Sequence, residues 1–432
     1  MKKQLVAATM IPMILTGCAT GAPEEVTPTK EPVVAEEQIG GELKVVTSRT
    51  DADVLFEEME TKFKEAYPAV TDIIWESSPD YTNYISTRMN TTDYGDVLFV
   101  PFSMSGEPDL YPTYFEPLGQ VSELEGQYID VTEADYEGVA YGLPTAVDFL
   151  GIIYNETLFE QAGIEKLPET VEELLAAAEQ IKATTGAIPF YTGYGPGMGI
   201  WGGALSSFGG ESFKKDMLDA GTAFAEGQPI REIMDMFYDL TANGYTEPDP
   251  VTLDSAKASQ MMADNQIAMR IGGLQDVYEI DDLSDASTIS TMPIPAKLDG
   301  KTSLAFGAAE VVGVNVNSEN KATAKAFVEF FISNESGYAE NFGGMSPNKD
   351  ELTPEAQTVF EESQIVLTAP PVDPTVEAEY ATIANEVGVA RLTDVLQQVV
   401  NMGLYPDQYG TYEDYVAELE ATWEKTAAQY EN

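Results

Sequence analysis

The residue pattern predicts an α/β fold, helices layered on sheets, and three observations carry the prediction. Asp96-Val97-Leu98-Phe99-Val100 is almost wholly apolar, as in a strand covered on both faces. Strand-like and helix-like segments alternate from residue 42 onward, the mark of strand–helix–strand units. The chain has 432 residues with 44% hydrophobic and 10% aromatic side chains. That is enough to bury the cores of two or more domains, and it excludes global disorder.

In order, the chain opens with Lys2 and Lys3, an apolar stretch from Leu5 to Leu15, and Leu15-Thr16-Gly17-Cys18. A basic segment, a short apolar run and small residues at a cleavage point make the layout of a secretory signal. The run is too short to span a bilayer, which takes roughly 20 residues. A cysteine directly after Thr-Gly resembles the lipobox of bacterial lipoproteins, and Cys18 is the single cysteine of the chain. The resemblance implies a signal peptide over 1–17, lipid on the Cys18 thiol, and an exported protein held at a membrane surface. A plain secretory signal is the alternative. Residues 19–40 are rich in Pro, Glu, Thr and Ala, so 18–40 reads as the lipidated cysteine and a flexible tether.

Ordered structure starts at Glu42 to Val46, a short strand. Val54, Leu55, Met59 and Phe63 recur near helical spacing between Asp53 and Tyr67, and Pro68 stops that helix. Val70 to Trp75 is a second strand, Asp96 to Val100 a third, and Gly151 to Tyr154 another. Thr170 is an N-cap with Glu172 and Glu173 in the first turn of a helix to about Thr184. Residues 228–241, 254–265 and 321–333 are helical, and 268–271 and 311–316 are strands. The last helix, from Tyr412, puts Tyr415, Val416, Leu419 and Trp423 on one face.

Composition narrows the chemistry. The formal charge is −51, from 73 acids against 22 bases. No basic footprint for nucleic acid is visible, and an anionic solute would be repelled. There is no histidine, which removes His-dependent nucleophile systems, His zinc sites and His general bases. A carboxylate pair stays chemically possible, but no pair stands out. No cofactor and no metal are implied.

A series of motifs then accumulates. Lys62-Phe63 and Tyr67-Pro68 close the first helix. Gly95-Asp96-Val97 leads into a strand, and Tyr141-Gly142-Leu143-Pro144 is followed by Ile153-Tyr154-Asn155. Pro168-Glu169-Thr170-Val171-Glu172-Glu173 comes next, then Met262 to Gly273, Val314-Asn315, Asn320 to Phe331, and Gly344-Met345-Ser346-Pro347. Their order and spacing over 300 residues resemble the family 1 extracellular solute-binding proteins of ABC importers, the group that includes maltose-binding protein. Gly95 replaces the family's Pro, Val171 its Trp, and Gln275 stands where a Trp is usual.

The resemblance implies a two-lobed periplasmic-binding-protein fold, with hinge strands and a ligand cleft between the lobes. The first crossing falls near Pro144 to Phe149, the second near Phe306 to Glu310, and the third near Leu367 to Asp373. The first lobe is then 41–147 with about 310–367, and the second 148–309 with about 368–432. The implied role is capture of a carbohydrate for an ABC permease, by a monomer tethered through Cys18, with no nucleic acid and no catalysis. A surface glycosidase using two acids, or a binder of a polyamine or peptide, are the alternatives.

A sugar site needs carboxylates, amides or Arg forks for hydroxyls, and rings for the C–H faces. Arg49 and Asp51 follow the first strand, and either meet the ligand or form a helix-capping turn. Phe102 and Ser103 follow the third strand, as ligand contacts or as a buried loop. Asp148 is the first choice, a lone acid in an apolar hinge strand whose removal is expected to weaken affinity alone, with a structural ion pair as the alternative. Tyr194 and Trp201 lie in a glycine-rich run as an aromatic platform, with packing as the alternative. That run also holds a formal GxGxxG, but mid-chain and without a ribose-reading acid placed after it. Gln275 can hydrogen-bond a sugar but not stack on it. Phe306 and Met345 are candidates from the second hinge and the Gly-x-x-Pro turn, with core packing as the alternative.

Overall fold

A computed structural model describes residues 39–430 apart from 285, 287 and 372. Cys18 and nearly all of the expected tether lie outside the described residues. Strand Gly41–Thr47 runs parallel to Val70–Ser77 on one side and to Val97–Phe99 on the other. Val311–Val314 and then Leu143–Pro144 extend this sheet to five strands in antiparallel sense. Val97–Phe99 is buried on both faces, as its apolar run requires, although only one neighbour is parallel. Helix Asp53–Ala66 covers the sheet with Leu55, Phe56, Met59 and Phe63, one apolar stripe at helical spacing. Helix Lys321–Phe331 joins it, with Phe327 5.0 Å from Phe63. These elements make the first lobe.

The second lobe is built on Val147–Asn155, buried along its length except for half-buried Asp148. Its first half pairs with Lys301–Ala308, and its second half lies between Ile267–Gly272 and Ile289–Pro293. Helix Val171–Thr184 starts where expected, with Thr170 Oγ1 accepting the Glu173 N–H at 3.3 Å. Helices Pro229–Ala242, Leu392–Leu404 and Tyr412–Ala427 complete the core around buried Trp201 and Trp423.

Between the lobes the chain crosses at 145–146 and 309–310. Thr145 N donates to Glu310 O at 2.8 Å, and Ala309 N to Ala146 O at 3.0 Å. Pro144 faces Val311 on one side of the crossing and Val147 faces Ala308 on the other. The two crossings are thus one hydrogen-bonded ribbon continuous through both sheets. Such a ribbon can bend while its backbone groups stay paired.

The third passage departs from expectation. Strand Gln364–Leu367 pairs parallel with Lys301–Ala308, so it belongs to the second lobe and not to the end of the first. Asn348 still pairs with Tyr128 of the first lobe, which places the passage between Asn348 and Gln364. Phe360 packs on Phe306 at 5.1 Å and draws the helix Pro354–Glu362 toward the second sheet. Pro370 and Pro371 therefore end a strand instead of marking the crossing.

Candidate functional site

The ribbon forms the floor of a cavity of about 650 Å³ between the lobes. Arg49, Glu310, Tyr338 and Phe342 line it from the first lobe, and Asp148, Ile200, Gln275 and Thr368 from the second. A further hollow of about 350 Å³ continues under the first lobe and shares Ala308, Ala309 and Glu310 with the cleft. Tyr81, Phe102, Tyr111 and Glu133 line that hollow.

Asp148 Oδ1 accepts the Leu274 N–H at 2.8 Å, at the start of helix Leu274–Asp281. Burial raises the Asp148 carboxyl above the ordinary range, backbone N–H donors at Leu274 and Phe149 pull it down, and the Asp276 charge raises it further. Gly273 makes this contact possible, because a Cβ there would stand 2.0 Å from Asp148 Oδ2. Asp148 is thus a helix cap as well as a cleft residue.

Glu310 faces the cleft from the second crossing. Ser48 Oγ donates to its Oε1 at 2.7 Å and Tyr338 Oη to its Oε2 at 2.9 Å. Two hydroxyl donors fix the carboxylate, and Tyr338 is pushed upward by burial and by the Glu310 charge. Arg49 stacks over Phe342, 3.4 Å from the ring centroid, and pairs with exposed Asp51 at 3.2 Å. The cleft therefore combines carboxylates from both lobes with a guanidinium lying flat on a ring.

Several expected residues lie elsewhere. Trp201 is fully buried, with its ring 5.1 Å from Phe237 and 6.3 Å from Phe190. It is a core residue and no platform, because the glycine run turns backbone, and not the indole, toward the cleft. Tyr194 is half-buried on the second core and its hydroxyl meets Asn401 Nδ2 at 3.1 Å. Phe306 is buried between Phe149 and Phe360. Met345 exchanges backbone hydrogen bonds with Val147 at 2.9 Å and packs on the hinge cluster. Both are corrected to packing roles, since each points into the cluster beneath the ribbon. Ser103 is exposed and outside the cavity wall, where Ser105 is placed instead.

Arg49, Asp148 and Gln275 are brought together at the cleft, and Phe102 stands 89% exposed at the mouth of the hollow. Gln275 donates to Glu279 Oε1 at 2.7 Å. Glu310, Tyr338, Phe342 and Thr368 were not foreseen. Glu310 had a legible signal, a lone acid after the apolar run Ala305 to Ala309, by the same logic as Asp148. The others depend on how distant segments meet.

Comparison with known proteins agrees with this architecture. A family model described as bacterial extracellular solute-binding protein matches residues 47–338. A binding protein of Brucella abortus (strain 2308) is 23% identical over 337 residues, covering 72% of this chain and 77% of its own length. Among solved structures, the binding protein of an ABC transporter from Bifidobacterium animalis subsp. lactis, in complex with mannobiose, superposes with a TM-score of 0.65. Identity is 24%, with 90% of this chain and 95% of that one covered. The apo form of RafE from Streptococcus pneumoniae gives 0.64 at 17% identity, covering 90% and 99%. These structural likenesses establish the two-lobed α/β fold. The family model spans well over half of the sequence, and the chain therefore belongs to the bacterial extracellular solute-binding proteins.

Proposed function

We propose that this protein captures a carbohydrate in the inter-lobe cleft and delivers it to an ABC transporter permease. One observation carries the reading. Asp148 and Glu310, from opposite lobes, line the same cavity beside the Arg49–Phe342 stack. Planar carboxylates and a guanidinium suit sugar hydroxyls, and an aromatic surface suits its C–H faces. Related folds are described in complex with mannobiose, mannotriose and raffinose, which supports the ligand class. A ligand touching both lobes binds the closed form better and shifts the protein toward it. No bond is made or broken in this role, and transport energy comes from another subunit. Anchoring through Cys18 and a monomeric state belong to the same proposal. A tether of about 22 residues reaches about 25 Å and keeps the lobes near the membrane.

A polyamine is the second reading, favoured by the carboxylates at the cleft and by the pairing of Arg49 with Asp51. Thermal shift with mannobiose, mannotriose, raffinose and spermidine separates the two. A true ligand at 100 times its Kd adds about 2.7 kcal/mol of stability, and Glu310→Gln should diminish that gain. Stabilisation by spermidine and by none of the sugars would sink the carbohydrate reading.

A further inference from the structure

A second cavity, of about 800 Å³, opens within the second lobe. It lies between the glycine turn that precedes and begins helix Trp201–Gly209, helix Pro374–Val387 and the start of helix Leu392–Leu404. Gly199 and Thr368 line both this cavity and the cleft, so the two spaces meet at that rim. Each volume falls within the range of about 300–1,000 Å³ usual for one small ligand. Together they exceed what a disaccharide needs.

The lining has the mixture the cleft has. Lys214 Nζ pairs with Glu377 Oε2 at 2.6 Å and stands 5.4 Å from the Tyr380 ring. Thr393 and the exposed Arg391 complete the polar side. Tyr380 is the informative residue. Its ring packs 5.9 Å from Trp423, which holds it in place. Among the described residues its hydroxyl has no hydrogen-bond partner. Burial, then the Glu377 charge, pushes that hydroxyl up to about 12, so it stays protonated and is a donor at neutral pH. Tyr380 is half-buried and lines the open cavity, so its hydroxyl is a donor facing free space. A ligand hydroxyl entering from the cleft would supply the acceptor.

We propose that the second-lobe cavity receives the far end of the same saccharide, so that the ligand is an oligosaccharide longer than the cleft alone can hold. The inference rests on the carbohydrate reading above. Tyr380 donates to the distal sugar, and the Lys214–Glu377 pair borders it.

Gly202 provides the test. It lines this cavity but not the cleft, and a Cβ there would meet nothing within 4 Å. Gly202→Trp therefore starts a bulky side chain from an unobstructed point on the cavity wall, and an unchanged apo melt confirms that the wall accepts it. Calorimetry would compare manno- and malto-oligosaccharides from dimer to hexamer. In at least one series, wild-type affinity should rise about tenfold or more with length. In Gly202→Trp that rise should vanish, while the dimer's Kd stays within about twofold. Tyr380→Phe, which keeps the ring packing, should weaken the longest ligand about threefold to tenfold and leave the dimer unchanged. A flat length series in wild type, a length dependence untouched by Gly202→Trp, or equal loss for dimer and hexamer would overturn the inference with the carbohydrate reading intact. Binding of raffinose but of neither series would overturn the inference alone, and binding of no saccharide, raffinose included, would overturn both.

Discussion

Asp148 ties the cleft to the stability of the lobe that carries it. Its carboxylate holds the Leu274 N–H at 2.8 Å, so its removal has two effects where the sequence alone suggested one. We predict that Asp148→Ala lowers apo stability by about 1 kcal/mol, the usual value of a lost N-cap, and weakens ligand binding about tenfold or more. Asp148→Asn keeps an acceptor and should retain most of the stability. Denaturant melts and calorimetry on both variants check this, and an unchanged apo melt for Asp148→Ala would remove the capping role. Asp130 sits beneath the ribbon, with backbone φ of 55°. Its Oδ2 accepts the Ala308 N–H at 2.9 Å, and its buried Oδ1 has no partner among the described residues. Burial, the facing charge of Glu133 and that of Glu211 push it up from 3.8 to about 7, against the pull of the Ala308 N–H. Between those values the folded chain binds a proton that the unfolded chain has released. Its contribution to stability is therefore lost as pH rises from about 4 to 7. Asp130→Asn, which tolerates the same backbone region, should raise stability at pH 8 by about 2 kcal/mol and flatten this slope. A variant no more stable than wild type at pH 8 would show that the carboxylate is not strained there.

The elements that position the site meet through glycines. Gly273 precedes helix Leu274–Asp281 and lets Asp148 approach. We predict that Gly273→Ala displaces the cap and costs about 1–2 kcal/mol, read as a lower melting temperature with weaker ligand binding. An unaffected melt would mean the helix start relaxes around the methyl. Elements with strong local signals were legible without tertiary information. Helix Val171–Thr184 has its Thr170 cap, and Asp53–Ala66 has its stripe and its stop at Pro68. The strand Gln364–Leu367 was not, since its short mixed sequence gives no period. Its place in the second sheet comes from pairing with Lys301–Ala308, about 60 residues away.

At the scale of the whole molecule, the lobes touch beside the cleft. Gly343 of the first lobe has φ of 73°, and a Cβ on it would lie 2.7 Å from Gln275 Cα of the second. The atom met first is backbone, so no side-chain rotation relieves the clash. Gly343→Val should hold the lobes apart. We expect weaker ligand binding and a larger radius of gyration by X-ray scattering in the presence of ligand. A ligand-bound radius equal to wild type would exclude Gly343 as a closure contact. The strain of a branched side chain at positive φ also lowers stability by about 1–3 kcal/mol, which a melt measures separately.

The sequence by itself determined the α/β class, the apolar strands and capped helices, and the family, because these rest on local periodicity, capping chemistry and the order of short motifs. It also singled out Asp148, since an acid inside an apolar strand stands out without any partner in view. Tertiary structure alone decided which aromatics face the cleft. Trp201 reads as a ligand platform and Phe306 as a cleft candidate in the chain, but both are drawn into cores, by Phe237 and Phe360. Phe342, which lacks any local signal, is brought to the cleft beneath Arg49. The physical reason is that burial of a ring depends on what packs against it, and those partners here lie 36 to 293 residues away in sequence.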